Sequence, residues 1–137
     1  MKNNDATIED EIIRFLGIYI YQQLNKEYEI EYFTRDGIVF YIYDKSIQND
    51  STCILRVLVY HQTKQVLIPT IFLPTKIKHR GIGKYMIKII YEVSKMFNYE
   101  VLVVDLVDSF RDKLLKRGAS ETSVYDVLQI TNNTNLI

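Results

Sequence analysis

The feature that most constrains this chain is a strand, a glycine-containing loop and a helix that follow one another between residues 66 and 97. Residues 66–73 form an apolar run that Pro74 closes, and the following loop contains Gly81 and Gly83. Beyond the loop, apolar residues recur at helical spacings, which is typical of a helix with one buried face. The sequence thus predicts a strand that leads through a short loop into a helix N-terminus.

This loop has the composition of an anion-binding site. The first-turn amides of a helix have no internal acceptor and lie at the positive end of the helix dipole. Gly81 and Gly83 remove side chains that would hold an anion away from those amides. Basic residues surround the loop without an intervening carboxylate: Lys76, Lys78, Arg80, Lys84 and Lys88, together with His79. We therefore expect a diphosphate to bind here; the alternative is a flexible turn that leads into an ordinary helix.

Two common phosphate-binding motifs do not match the loop. A P-loop requires Gly-x-x-x-x-Gly-Lys-Ser/Thr, and a dinucleotide fingerprint requires a third glycine where this chain has Met86. The loop instead resembles the acyl-CoA-binding motif of the GNAT superfamily of N-acyltransferases. In that motif Arg or Gln, two variable residues, Gly, one residue and Gly or Ala follow a strand and open a helix. The matching residues are Lys78, Gly81 and Gly83, with Lys in place of the usual Arg or Gln.

The resemblance implies that acetyl-CoA binds along this stretch as a co-substrate. The family's splayed strand, which hydrogen-bonds the pantetheine through its main chain, would be residues 71–73. The implied cofactor-binding residues are Ile71, Phe72, Leu73, Lys78, His79, Arg80, Gly81, Ile82, Gly83 and Lys84. Pro69 is expected to mark either a bulge beside the splay or an exposed N–H position, because proline cannot donate to a strand ladder.

The whole chain is expected to form a single domain over residues 1–137, with a fold in the α/β (α+β) class. The resemblance implies a GNAT-like mixed, mostly antiparallel sheet that is splayed at the cofactor strand and flanked by helices. It covers about residues 52–130. The N-terminal part departs from the family, whose members usually begin with a strand, because here a helix comes first.

The predicted elements follow from periodicity and turn residues. Thr7 can cap the first helix, and Asp36–Gly37 is a strong hairpin signal because glycine accepts a positive φ. The tail from residue 131 is expected to be peripheral. The elements are a helix at 8–26, an antiparallel meander at 28–73, the loop and helix at 74–97, and a strand–helix–strand unit at 100–130 whose last strand begins at 124.

Direct acyl transfer to an amine requires a base, an oxyanion donor and an acid for the leaving thiolate. Main-chain N–H groups near residues 71–73 could stabilise the oxyanion. Asp105 is the candidate base, because partial burial among apolar neighbours would make its carboxylate a stronger proton acceptor. The alternative is an exposed strand end or a helix cap. Leu114 occupies the place where many family members carry a tyrosine that protonates the leaving thiolate. Tyr125, on the last predicted strand, is the candidate for this general acid instead.

Two readings of function therefore remain open. The chain is expected to be an N-acetyltransferase that moves an acetyl group from acetyl-CoA to an amine; the alternative is a catalytically inactive module of the same fold that binds acyl-CoA or another protein. A third reading, nucleic-acid binding by the basic stretch, has no recognition motif to support it. The sequence leaves the amine acceptor open, and it is compatible with a homodimer.

Composition limits the remaining classes of function. Seventeen basic and seventeen acidic side chains give a formal net charge of zero, which argues against a general polyanion binder. Two histidines and one cysteine offer no cluster for a metal site. No run of 18 apolar residues, signal-peptide pattern or lipidation motif is present, so we expect a cytoplasmic protein that does not interact with membranes.

Overall fold

The computed structural model describes residues 6–47 and 51–137, which form a mixed α/β fold. Within these ranges, a seven-stranded, mostly antiparallel sheet is accompanied by three α-helices. No helix of the described ranges combines the length and the apolar character needed to cross a membrane. The elements are α1 (Ile8–Leu24), β1 (Tyr28–Phe33), β2 (Ile38–Asp44), β3 (Ser51–Tyr60), β4 (Gln65–Ile71), a 3₁₀ turn (Thr75–Ile77), α2 (Ile82–Met96), β5 (Glu100–Val103), α3 (Asp108–Lys116), β6 (Ser120–Glu121) and β7 (Leu128–Ile130).

The strands lie in the order β1-β2-β3-β4-β5-β7-β6. Only β4 and β5 pair in parallel, and α2 is the crossover between them. The expected mostly antiparallel sheet is confirmed. The C-terminal part differs in detail, since the last strand is shorter than expected and a two-residue strand, β6, pairs with it.

Local signals explain where α1 and the first hairpin form. Thr7 accepts a hydrogen bond from the N–H of Asp10, and the Asp10 carboxylate accepts one from the N–H of Thr7, which completes a capping box. Asp36 and Gly37 both have positive φ, as a tight hairpin turn requires. A Cβ on Gly37 would lie 2.8 Å from the carbonyl oxygen of Val57, so only glycine fits there.

The strands β4 and β5 pair over only four residues and then separate. Their last pair is Ile68 with Val103, and the N–H of Val104 still donates to the carbonyl of Ile68 at 3.1 Å. Between the β3–β4 pairs on either side, β3 contributes one residue while β4 contributes two, Ile68 and Pro69. Pro69 therefore lies in a β-bulge at the point where β4 leaves β5, as one of the two sequence alternatives predicted.

The core lies between the sheet and the packed pair α1 and α2. The predicted apolar face of α2 is largely buried, although Tyr85 and Met96 remain exposed. The expectation of a peripheral tail is wrong. Leu136 is 5% exposed and belongs to the core, and the main chain of Asn135 donates to the carbonyl of Arg117 at 2.6 Å. The tail thus packs against the C-terminal end of α3.

Candidate functional site

A cavity lies where β4 ends, α2 begins and α3 passes alongside. We call it the loop cavity; its volume is about 400 Å³. Volumes of about 300–1,000 Å³ are usual for sites that bind small molecules and cofactors. The residues that line it are Ile71, Phe72 and Leu73 after β4, Lys78, His79, Gly81, Ile82, Gly83, Lys84 and Ile87 around the start of α2, and Val107, Ser109, Phe110, Lys113, Leu114 and Arg117 around α3.

Nine of the ten expected cofactor-binding residues line the loop cavity, and Arg80 is the exception. The Arg80 guanidinium turns to the outer side of the loop. There it donates to the carbonyl of Gln23 at 3.3 Å and lies 3.9 Å from the carboxylate of Glu27. These contacts hold Arg80 away from the cavity, which the charge pattern alone could not reveal.

The outer side of the loop is attached to the meander by further ionic contacts. Lys76 lies 3.4 Å from the carboxylate of Asp44 and 3.9 Å from that of Glu27. A hydrogen bond from the Ser46 hydroxyl is the main cause that lowers the pKa of Asp44, and the hydrogen bond to Asp44 raises the pKa of Lys76. These contacts fix the outside of the loop and leave its inner side for the cavity.

Glycine occurs at positions 81 and 83 of the loop for different structural reasons. Gly81 has φ +77° and caps α2 without a side-chain hydrogen bond to the first turn. Gly83 has no positive φ, and a Cβ there would contact Leu73 and Ile71 at ordinary distances of 3.6 and 3.7 Å. The protein itself would therefore tolerate alanine at position 83. With glycine there, no side chain projects into the cavity beside the first-turn amides, so an anion can approach these amides closely.

The exposed main chain of β4 faces the gap between the separated strands. The N–H of Phe72 donates to the carbonyl of Ile54 in β3 at 2.9 Å. Because successive main-chain groups of an extended strand point to opposite sides, the amides of Ile71 and Leu73 point away from β3. They face the side on which β5 has left, so they can bond a ligand that lies in the gap.

A smaller cavity of about 170 Å³, which we call the strand cavity, occupies this gap. It shares Ile71, Val107 and Phe110 with the loop cavity, so the two cavities adjoin. Most of its wall is apolar, and it extends along β4 and β5. Together the cavities form a trough with a polar, basic end and a narrow apolar end.

Asp105 lines the strand cavity, but its expected partial burial is wrong. The residue is exposed, and its φ of +56° places it in the left-handed region, which Asp and Asn tolerate better than most residues. It is the one carboxylate among the residues that line either cavity. The bend at Asp105, just after β5, brings it out of the apolar environment that the sequence suggested.

Tyr125 lies outside both cavities. It precedes β7 rather than lying on it, and it is 62% exposed. Its hydroxyl donates to Asp108 at 3.2 Å, and its ring stacks 4.0 Å from the guanidinium carbon of Arg111. The structure therefore does not bring Tyr125 and Asp105 into one cavity, whereas Leu114, 2% exposed, lines the loop cavity without a titratable group.

Sequence reasoning missed two basic residues of the site, Lys113 in the last turn of α3 and Arg117 at its C-cap. Their i,i+4 spacing places them on one helical face, which here borders the loop cavity. That spacing was the available signal, but only the position of α3 at the loop cavity shows which face borders the site. Among the residues that line the loop cavity, four are lysine or arginine and none is a carboxylate.

The fold and the site thus define a mixed α/β protein with a basic, carboxylate-free cavity at a helix N-terminus that adjoins an apolar gap between two parallel strands. In comparisons with protein families, curated proteins and solved structures, nothing matches this chain.

Proposed function

We propose that this chain is a GNAT-type N-acetyltransferase that takes its acetyl group from acetyl-CoA and passes it directly to an amine. The observation that carries the proposal is the separation of β4 from β5 beside the glycine loop that opens α2. The same short region offers a bulge at Pro69, outward-facing strand amides and a basic helix N-terminus. These features support a ligand that is anionic at one end and extended at the other.

The residues present fit acetyl-CoA. Its diphosphate suits the first-turn amides of α2, with Lys78 and Lys84 in the cavity wall. Its pantetheine arm suits the gap, where the amides of Ile71 and Leu73 could bond it as an additional strand would. Its adenine end would remain toward the wider loop cavity. No lining carboxylate in the loop cavity opposes these anionic groups.

The chemistry of transfer requires few side chains. Bound acetyl-CoA supplies an activated acetyl thioester. Asp105 lines the strand cavity and is the proposed acceptor for the proton of the incoming amine. Of the main-chain N–H groups near residues 71–73, that of Phe72 is bonded to Ile54. The N–H of Ile71 is therefore the proposed donor to the thioester oxygen that becomes negatively charged during attack, and that of Leu73 bonds the rest of the arm. Tyr125 would need another conformation to reach the cavity as an acid.

A second function, a module that binds acyl-CoA without catalysis, is favoured by one observation. Leu114 is buried in the wall of the loop cavity at the position where the family often has its acidic tyrosine. A thiolate can also leave without a protein acid, because a thiol ionises near pH 8.5. Leu114 therefore favours the module without excluding the enzyme.

Binding and turnover separate these readings. We expect acetyl-CoA to raise the Tm of the protein, because it binds the native state alone. Thiol release with a panel of small amines, polyamines and peptides then measures transfer. No Tm shift with acetyl-CoA would contradict both readings, and binding without turnover on any amine would favour the module.

Asp105→Asn tests the proposed base. Asparagine tolerates the same left-handed backbone, so we expect the fold and the affinity for acetyl-CoA to be kept. Loss of the base should lower kcat/KM for the amine by about 10²–10⁴-fold. Asp105→Ala is the matched variant, which adds backbone strain. Full activity of Asp105→Asn would show that Asp105 has only a conformational role.

A further inference from the structure

Basic residues of the glycine loop, α2 and α3 differ in whether they have a carboxylate partner. Lys76, Arg80, Lys88 and Arg111 each lie within 4.0 Å of an Asp or Glu carboxylate. The four lysine and arginine side chains of the loop cavity have no such partner among residues 6–47 and 51–137; they are Lys78, Lys84, Lys113 and Arg117. Within the described ranges, acidic side chains therefore do not neutralise the positive charge of the cavity wall, although Lys84 donates to the main-chain oxygen of Ile137 at 2.7 Å.

These four residues lie on two different walls. Lys78 and Lys84 flank the glycines at the start of α2, whereas Lys113 and Arg117 lie at the C-terminal end of α3. The diphosphate of acetyl-CoA requires only the first wall. The second wall carries its own pair of positive charges, and the helix C-terminus on which they lie favours cations. A single diphosphate does not account for this second pair.

Arg117 is held in place by neutral groups that leave donors free. One guanidinium nitrogen, Nη1, donates to the carbonyl of Asn135 at 3.2 Å, and the N–H of Asn135 donates back to the carbonyl of Arg117. A guanidinium has five N–H donors, so this arrangement positions the group without saturating it. Such a group suits bidentate binding of a phosphate.

We propose that Lys113 and Arg117 form a second phosphate subsite that binds the 3′-phosphate of the CoA nucleotide. A phosphate monoester carries a charge of about −1.5 to −2 at pH 7, which two cations match. This inference rests on the proposed function and adds a specificity: the site discriminates 3′-phosphorylated CoA thioesters from thioesters that lack this group. Lys113 and Arg117 are specificity-determining residues that do not take part in acyl transfer.

Calorimetric titration with acetyl-CoA and acetyl-3′-dephospho-CoA tests the subsite. We expect the protein to bind acetyl-CoA about tenfold or more tightly than the dephospho ligand, as one to two charge-assisted hydrogen bonds would give. In the double variant Lys113→Gln/Arg117→Gln, most of this preference should disappear, because the affinity for acetyl-CoA falls while that for the dephospho ligand changes little.

Two further variants keep the test independent of folding. Lys113→Gln alone removes one charge from an exposed side chain, and it should lose part of the preference without affecting the tail contact of Arg117. Lys116→Gln is the matched control: Lys116 is exposed on the same helix but does not line the cavity, so the preference should be kept.

The outcomes separate this inference from the proposed function. Equal affinity of the unmodified protein for both ligands would overturn the subsite while acyl-CoA binding stands. A preference that the double variant retains in full would also overturn it. If the protein binds neither ligand, the proposed function fails and the subsite fails with it.

Discussion

Single residues of the loop show how similar side chains can have different roles. Gly81 is required by its own backbone, since a φ of +77° strains other residues. Gly83 has an ordinary helical backbone, so the backbone does not require glycine there. Its lack of a side chain instead leaves space in the loop cavity. Substitution at position 83 therefore tests ligand binding with little effect on folding, whereas substitution at position 81 confounds the two.

We predict that Gly83→Glu strongly weakens acetyl-CoA binding while stability is kept or raised. Replacing a helical glycine contributes about 0.5–1 kcal/mol, and a carboxylate near a helix N-terminus about 0.3–1 kcal/mol more. The same carboxylate should weaken binding by about 100-fold or more, because like charges about 4 Å apart near a protein surface repel by about 4 kcal/mol. Calorimetric titration and urea denaturation measure the two effects.

Gly17→Glu is the control for this substitution. Gly17 also lies inside a helix, α1, and a Cβ there meets no atom within 4 Å. It is not among the residues that line the loop cavity, so binding should be unchanged. Undiminished affinity of Gly83→Glu would show that the anion does not lie at the start of α2.

At the scale of single residues, the sequence predicted the loop and its basic residues. It could not predict which side of the chain each side chain faces. The charge pattern identified Arg80 and His79 together, yet only His79 faces the cavity. Asp105 was expected to share the burial of its apolar neighbours, but it lies at a bend with positive φ and is exposed. Both differences depend on local backbone conformation, which the spacing of residue types along the sequence does not predict.

At the scale of elements, the loop before α2 depends on contacts with the end of β2. Asp44 accepts hydrogen bonds from the Ser46 N–H at 2.9 Å and the Ser46 hydroxyl at 2.7 Å, and it pairs with Lys76 in the 3₁₀ turn. The ionised form of Asp44 is the one that these donors stabilise. The attachment of the loop should therefore depend on pH.

We predict that Asp44→Asn lowers the Tm at pH 7 and that its difference from the unmodified protein disappears in acid. The pKa of Asp44 is lowered in the folded state, chiefly by the Ser46 hydroxyl. Its contribution is therefore fully present above about pH 4, where an unfolded Asp ionises, and it is lost as the pH falls through the lower folded pKa. Thermal denaturation between pH 7 and pH 2.5 measures this.

Asp112→Asn serves as the comparison, since Asp112 is exposed on α3 and takes part in none of the ion pairs found in the described ranges. Its Tm should follow that of the unmodified protein more closely at pH 7. A constant offset of Asp44→Asn at every pH would contradict an ionic role for Asp44.

Elements that carry strong local signals were predictable. Asp36–Gly37 determines its hairpin by backbone conformation, and Thr7 begins α1 by capping it. The sequence could not predict the two-residue strand β6 or the burial of Leu136, because both depend on contacts with distant parts of the chain. The positions of α3 and the tail, and with them Lys113 and Arg117, follow from that packing.

At the scale of the whole molecule, the sheet consists of two parts that share a short junction. The strands β1 to β4 form a continuous meander, and β5, β7 and β6 form the second part. Only the four-residue parallel pairing of β4 with β5 joins them within the sheet. A ligand that fills the gap beyond this pairing would contact β4, α2 and α3 together, so it would act as an additional connection.

We predict that acetyl-CoA slows amide hydrogen exchange locally on both sides of this junction. Residues from the segments 71–73, 82–84 and 107–117 line the trough, and the amides of these lining residues should exchange about tenfold or more slowly when the ligand is near saturation. At a ligand concentration 100 times the Kd, the free energy of unfolding rises by about 2.7 kcal/mol. Amides that exchange only through global unfolding therefore exchange more slowly throughout the protein. The local effect is therefore assessed on amides that exchange by local opening, with the β1–β2 hairpin as internal reference. Slowing confined to 82–84 would contradict a ligand that spans the gap, because the strand amides of Ile71 and Leu73 would then have no part in holding it.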